Sequence, residues 1–253
     1  MGRRRKPKAK TYELTVESLS HEGRGIAHFD EKVIFVSGAL PGETVIADRT
    51  FSRAKFEEAD VKEVIKAADN RITPKCEVFG VCGGCSFQHL SSKDQITAKG
   101  EWLKDAFLGQ AKVEPEQWLT PLQVQNWGYR RKARLGVRYV AKKEKVLVGF
   151  REKKSGFITN MSRCEVLHPS LGDNLEVLAE AIGKLSIKSP VPQIKVAVAG
   201  HNTVLILRHL EPLSEQDEQI LLDCAKELAV TFYTQSGGED TVKPLNQPAV
   251  LTY

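Results

Sequence analysis

Between Thr11 and about Ala68, apolar and polar residues alternate in short runs: YELTVESL, GRGIAHF, KVIFVSGAL, ETVIADRTF and ADVKEVIKA. A period of two residues, rich in β-branched side chains and broken by turn residues, predicts strands. Pro41-Gly42 marks one tight turn, and Gly23 and Gly25 bracket another. Five such strands predict a small OB-like barrel over residues 11–68. The Gly-Arg-Gly at 23–25 opens like a dinucleotide fingerprint, but its third glycine is missing and no helix pattern follows, so these are turn glycines.

Past "AADNRITPKC" the period changes. Ser91-Ser92 with Asp94 and Gln95 predicts a capped helix running to about Leu108, with Ile96, Leu103 and Phe107 on its inner face. Asp173 with Glu176 opens a second helix, striped by Leu175, Leu178, Ile182 and Leu185, and Ser214 with Asp217 opens a third. Strand patterns fall at 130–140, 146–150, 194–199, 203–209 and 230–235. The whole is therefore expected to be α+β, with a basic disordered arm at 1–10, the barrel at 11–68 and an α+β domain over 69–253.

Charge sharpens this picture. The net value is +5, but residues 1–10 carry +6 and residues 126–154 carry +9, so everything else sums to −10. Concentrated cation on one arm and one folded segment suits a phosphate backbone. In "RRKARLGVRYV" the alternation places Ala133, Leu135, Val137 and Tyr139 on one face, and Arg130, Lys132, Arg134 and Arg138 on the other. Tyr129, Trp127, Phe150 and Phe157 lie nearby as candidate stacking platforms for unpaired bases, or as core; for Phe150 the core is favoured. No signal-like or membrane-spanning run is present in 253 residues of 41% apolar content, which points to a cytoplasmic protein without a membrane partner, expected as a monomer.

The five cysteines are an odd set for a reducing compartment, which argues against a disulfide framework. Cys76, Cys82 and Cys85 form C-x5-C-x2-C in a glycine-rich loop. The fourth ligand for a metal is open among His89, Cys164, His168 and Cys224; the last sits between Ile220 and Leu228, the setting of an inert buried thiol. Zinc would take the three thiols with His89, or with Cys164. An iron–sulfur cluster would take four thiolates and recruit Cys164.

C-x5-C-G-G-C followed by "SFQHLS", behind a barrel of the TRAM type and ahead of "GYRRKARL", "VGFREKKSGFI" and an isolated cysteine, resembles the bacterial RNA uracil-5-methyltransferases, in particular those acting on 23S ribosomal RNA. The resemblance implies that Cys76, Cys82, Cys85 and Cys164 ligate a [4Fe-4S] cluster, that His89 is a neighbour, and that the RNA-binding residues include Tyr129, Arg130, Lys132, Arg134 and Arg138. It also implies S-adenosylmethionine as cofactor of a full-length member. Such chemistry needs a glycine-rich βαβ unit, a low-pKa cysteine and a placed base. None is evident in the sequence, so the doubly wound methyltransferase domain is expected to be absent, no catalytic residue is assigned, and the chain is expected to be the inactive RNA- and cluster-binding part of such an enzyme. The alternatives are a stand-alone RNA-binding module with structural zinc and, with no support beyond the cysteines, a redox protein.

Overall fold

The computed structural model describes residues 10–252; the expected basic arm lies almost wholly outside them. The chain divides into two compact units, one formed by residues 1–75 with 85–123 and the other by 76–84 with 124–253.

The first unit holds β1 (Thr11–Thr15), β2 (Ser18–Leu19), β3 (Gly25–Phe29), β4 (Lys32–Ser37), β5 (Thr44–Ser52) and β6 (Phe56–Lys66), in the order β1-β5-β6-β4-β3-β2. The expected five strands are therefore six. The first predicted run breaks after Thr15 because it changes partners: Val16 N–H donates to Glu43 O at 2.9 Å and Glu17 N–H to Ile26 O at 2.8 Å. One continuous run thus supplies both edges of the sheet, which closes it. Tyr12, Leu14, Val16, Ala27, Ile34, Val36, Val45, Ala47 and Ala59 fill the interior.

Two buried carboxylates brace this unit. Glu43, with no exposed surface, accepts from the backbone of Leu40 (2.8 Å) and Ala68 (3.2 Å) and from Arg71 Nη2 (2.8 Å). Arg71 also donates to Gly38 O at 2.7 Å and bridges Leu90, so the strand exit and the 85–91 segment are held together. Glu57 accepts from the Tyr12 hydroxyl, Ser52 Oγ (2.7 Å), Arg49 Nη1 (3.1 Å) and Lys32 Nζ (3.3 Å). Helix α1 (Ser92–Lys104) starts on the expected Ser91 cap, whose Oγ accepts from Asp94 N–H at 3.2 Å. Its expected inner face is only half-buried at Ile96, and Leu103 is 51% exposed and Phe107, in the wider turn that follows, 39% exposed; Trp102 reaches inward onto Phe87 and Leu19 O, and Gln95 onto Phe87 O and Leu90 O. An apolar stripe sinks only where another element covers it.

The second unit holds β7 (Lys132–Val140), β8 (Lys145–Gly149), β9 (Gln193–Ala199), β10 (Asn202–Arg208), β11 (Thr231–Gln235) and β12 (Val242–Pro244), ordered β12-β11-β10-β9-β7-β8. Only β10 and β11 run parallel, and the crossover between them is helix α4 (Glu215–Leu228). Before these come α2 (Pro169–Gly172) and α3 (Leu175–Gly183). Leu135, Val137, Val146, Val148, Ile194, Val196, Leu205, Leu207 and Phe232 are buried with Leu175, Leu178 and Ile182 of α3 and Leu221 of α4. Ser214 and Asp217 form the expected capping box, and the buried Asp217 also accepts from the backbone and hydroxyl of Ser186, both at 2.7 Å.

Burial raises the pKa of each of these carboxylates, but donated hydrogen bonds outweigh it. Glu57 and Asp217 fall to about 2, and Glu43 falls below the usual carboxylate range. A folded-state value below the unfolded one, about 4, stabilises the fold above that pH and loses the contribution as pH drops towards 2. The thermal midpoint should therefore fall steeply between about pH 4.5 and 2, and Glu57→Gln with Asp217→Asn should flatten that slope. Glu43→Ala, which leaves Arg71 and two amides unmatched, should cost about 3 kcal/mol in denaturant unfolding.

Candidate nucleic-acid interface

Strand β7 realises the predicted alternation. Leu135 and Val137 are buried, while Lys132, Arg134 and Arg138 are exposed on the opposite face. Antiparallel pairing places Lys195 of β9 directly across from Arg134, and the next residue pair on the row is Gly136 with Gln193. Like charges facing one another across a ladder cost free energy. Among the described residues Arg134, Arg138 and Lys195 form no ion pair with an acidic side chain. Their charges are thus balanced by no carboxylate among the described residues. Lys195 was missed in the sequence, where only its place as the polar residue of an alternating run signals its face; its pairing with Arg134 is set by tertiary structure.

Arg130 lies outside this row. It precedes β7 and forms a bridge with Leu167, its N–H donating to Val166 O at 2.8 Å and its carbonyl accepting from His168 N–H at 3.0 Å. Its guanidinium reaches Gly84 O at 3.4 Å and stands 5.3 Å from the Phe150 ring centroid. Tyr129, beside it, is 47% exposed, while Trp127 and Phe150 are half-buried.

The cysteine segment of this unit is tied to the same region. Gly83 N–H donates to Arg151 O at 2.8 Å, and a Cβ on Gly83 would stand 2.9 Å from that oxygen, so the close approach needs glycine. Cys82 is buried, forms a bridge with Glu152, and its Sγ accepts from Gly84 N–H at 3.4 Å. Cys164 is buried too, and its N–H donates to Gly172 O at 2.7 Å; Gly172 is packed so that a Cβ would stand 2.7 Å from Cys164 O. Cys76 is half-buried in this unit, and Cys85 is half-buried at the start of the segment belonging to the first. Among the described residues no group of three or more His, Cys, Asp or Glu side chains is placed to hold a metal ion.

The remaining ligand candidates have other surroundings. His89 is buried. His168 caps α2, its Nδ1 lying 2.9 Å from Ser170 Oγ, and burial with the nearby charge of Arg131 lowers its pKa, keeping the ring neutral at neutral pH. Cys224 is buried in α4 and burial pushes its thiol up to about 11, as the inert role expects. No helix among the described residues is long and apolar enough to cross a membrane.

The TRAM domain family matches residues 5–62. The chain is 70% identical over all of its 253 residues to the 23S rRNA (uracil(1939)-C(5))-methyltransferase RlmD of Vesicomyosocius okutanii, covering 58% of that protein, and 49% identical over 91% of its length to the RlmD of Nitrosococcus oceani, covering 52%. It spans about half the length of the curated relatives it matches. Its fold aligns over 91% of its length, at 18% identity and TM-score 0.60, with 53% of the crystal structure of the Pyrococcus abyssi tRNA (uracil-54, C5)-methyltransferase in complex with S-adenosyl-L-homocysteine.

That alignment contradicts the expected absence of the doubly wound methyltransferase domain, since 91% of the chain follows 53% of a solved methyltransferase. The expectation rested on a missing glycine fingerprint, a local signal, whereas burial patterns set the backbone shape. The readings as an inactive binding part and as a stand-alone module with structural zinc fall with it, since the relatives the chain matches are methyltransferases. Neutralising Lys132, Arg134, Arg138 and Lys195 together should lower the slope of log affinity against log salt for RNA by about 3, at roughly 0.7 to 0.9 per phosphate contact; an unchanged slope in filter binding would place the contact elsewhere. The chain is therefore similar, from end to end, to about half of a 23S rRNA uracil-C5 methyltransferase and carries a TRAM match near its start.

Proposed function

We propose that this chain belongs to the RNA uracil-C5 methyltransferases and acts in S-adenosylmethionine-dependent methylation of 23S ribosomal RNA in the cytoplasm. The observation that carries this is the 70% identity sustained over all 253 residues with RlmD of Vesicomyosocius okutanii. The unpaired cations Arg134, Arg138 and Lys195 support it, because an RNA backbone is the anion such a row fits. In this reading Lys132, Arg134 and Arg138 hold phosphates, Tyr129 offers a ring to a base, and Arg130 shapes the surface beneath them. S-adenosylmethionine supplies the methyl group.

Cys76, Cys82, Cys85 and Cys164 are proposed as ligands of a [4Fe-4S] cluster. Thiolates are the donors such clusters take, and the Cys82 and Cys164 segments both meet Arg130, at Gly84 and at Val166. When bound, the cluster would supply a rigid cross-link.

Two measurements test the proposal. Ribosomal RNA from cells in which the gene is disrupted should lack a 5-methyluridine that the parent carries, read by nucleoside mass spectrometry of 23S digests; undiminished 5-methyluridine overturns the activity. Protein purified without oxygen should carry roughly four irons with matching sulfide. Cys164→Ser should lose them as fully as Cys85→Ser, and His89→Ala should keep them. Retention of iron in Cys164→Ser removes Cys164 from the ligand set.

A further inference from the structure

Phe157 is 73% exposed, an unusual position for a phenyl ring in a segment so tightly bound. After β8 the chain turns back on itself between Phe150 and Thr159. Arg151 bridges Ile158, Glu152 N–H donates to Phe157 O at 3.0 Å, and Thr159 N–H donates to Phe150 O at 2.9 Å. Ser155 Oγ donates to Glu152 Oε2 at 2.6 Å and accepts from Phe157 N–H at 3.0 Å, while Arg151 Nη1 reaches Gly156 O at 3.4 Å. On its other side the same stretch pairs with the cysteine segment, through Gly83 N–H to Arg151 O and Lys153 N–H to Val81 O. Ile158 is buried, with its Cδ1 filling the space that Gly136 leaves open. Strand alternation then forces Phe157 outward.

The ring is held out by this hydrogen-bonded frame, on a segment rich in basic residues. Residues 151–154, Arg-Glu-Lys-Lys, carry a net +2. Val81, on the paired cysteine segment, is exposed too, but the net positive charge of 151–154 favours an unpaired nucleotide, which brings both a base for the ring and a phosphate for the cations. We propose that the Phe150–Thr159 hairpin is a base-stacking finger, with the Phe157 ring receiving one unpaired base of an RNA loop and Arg151 and Lys154 facing its backbone. This rests on the RNA reading above and adds to it a particular contact, selective for single-stranded over paired RNA, since a base inside a duplex has no face to offer.

The test compares two probes, a 23S-derived RNA hairpin with an unpaired loop carrying 2-aminopurine and a blunt duplex of equal length. Phe157→Ala and Phe157→Leu should both weaken hairpin binding by about 5- to 150-fold and leave duplex binding unchanged, because stacking is worth about 1 to 3 kcal/mol per base. Phe157→Trp should retain affinity and the quenching of 2-aminopurine. Circular dichroism checks that each variant is folded. Unchanged hairpin affinity in the Ala and Leu variants overturns the finger and leaves the ring for a protein partner; equal losses on hairpin and duplex also overturn it. Wild-type protein that binds neither probe overturns the RNA reading itself, which is a separate result.

Discussion

The sealing of one face of the second unit's sheet is the constraint on which the proposed interface depends. Leu135 and Val137 of β7, Ile194 and Val196 of β9, and Leu205 and Leu207 of β10 all lie buried. Each such side chain contributes on the order of 1.5 to 3 kcal/mol when fully buried. A slip of one residue in β7 would invert every side chain and sink Arg134 and Arg138 into that apolar layer, at a cost no surface pairing offsets. The apolar half of the strand therefore dictates where the cations go. The facing of Arg134 by Lys195 is a consequence of the same register, and a local repulsion of a few tenths of a kcal/mol or more is tolerated because the burial beneath it is larger by far.

The first unit solves a different problem, how to close a small sheet and fasten the segment that leaves it. Closure comes from a single run that serves two edges, and fastening comes from Glu43, a carboxylate with no exposure, matched by two amides and a guanidinium. A buried charge is weak evidence of net stability, since an apolar substitute would also fill the space. Its geometry is nonetheless specific: Glu43 selects one path for Gly38, Ala68 and Arg71, and Arg71 in turn bridges Leu90. Glu57 plays a similar part across β1, β4, β5 and β6, binding Tyr12, Lys32, Arg49 and Ser52.

Local signals were legible and tertiary ones were not. The Ser214–Asp217 cap, the alternation of β7 and the burial of Cys224 all follow from short-range chemistry, and each is found where the sequence puts it. The count of barrel strands was misjudged because YELTVESL reads as one pattern, and only its change of partner between Val16 and Glu17 divides it. The stripe of α1 was misjudged because periodicity identifies an apolar face without supplying anything to cover it. β12 escaped notice since three residues carry no period at all. The doubly wound methyltransferase domain was expected to be absent for want of a glycine motif, although the shape of a fold outlasts such motifs. For the candidate site, residue types were legible and neighbours were not: nothing in "QIKVAVA" says that its lysine will face Arg134.

Arg130 shows why a count of charges is not a map of an interface. By sequence it heads a row with Lys132, Arg134 and Arg138, yet it sits outside β7 and its backbone pairs with Val166 and His168. Its guanidinium donates from Nη2 to Gly84 O and turns towards the Phe150 ring. It therefore joins three stretches of one unit: the cysteine segment, the end of β8 where the finger begins, and the segment leading from Cys164 to α2. Losing it would displace the base of the finger and the glycine loop together, so its effect on RNA binding would pass through shape and would leave the salt dependence close to that of the intact protein. Loss of Arg134 acts the opposite way, lowering the salt slope while leaving the backbone in place. The two arginines stand four residues apart, and the sheet's boundary at Lys132 assigns one to structure and the other to the surface.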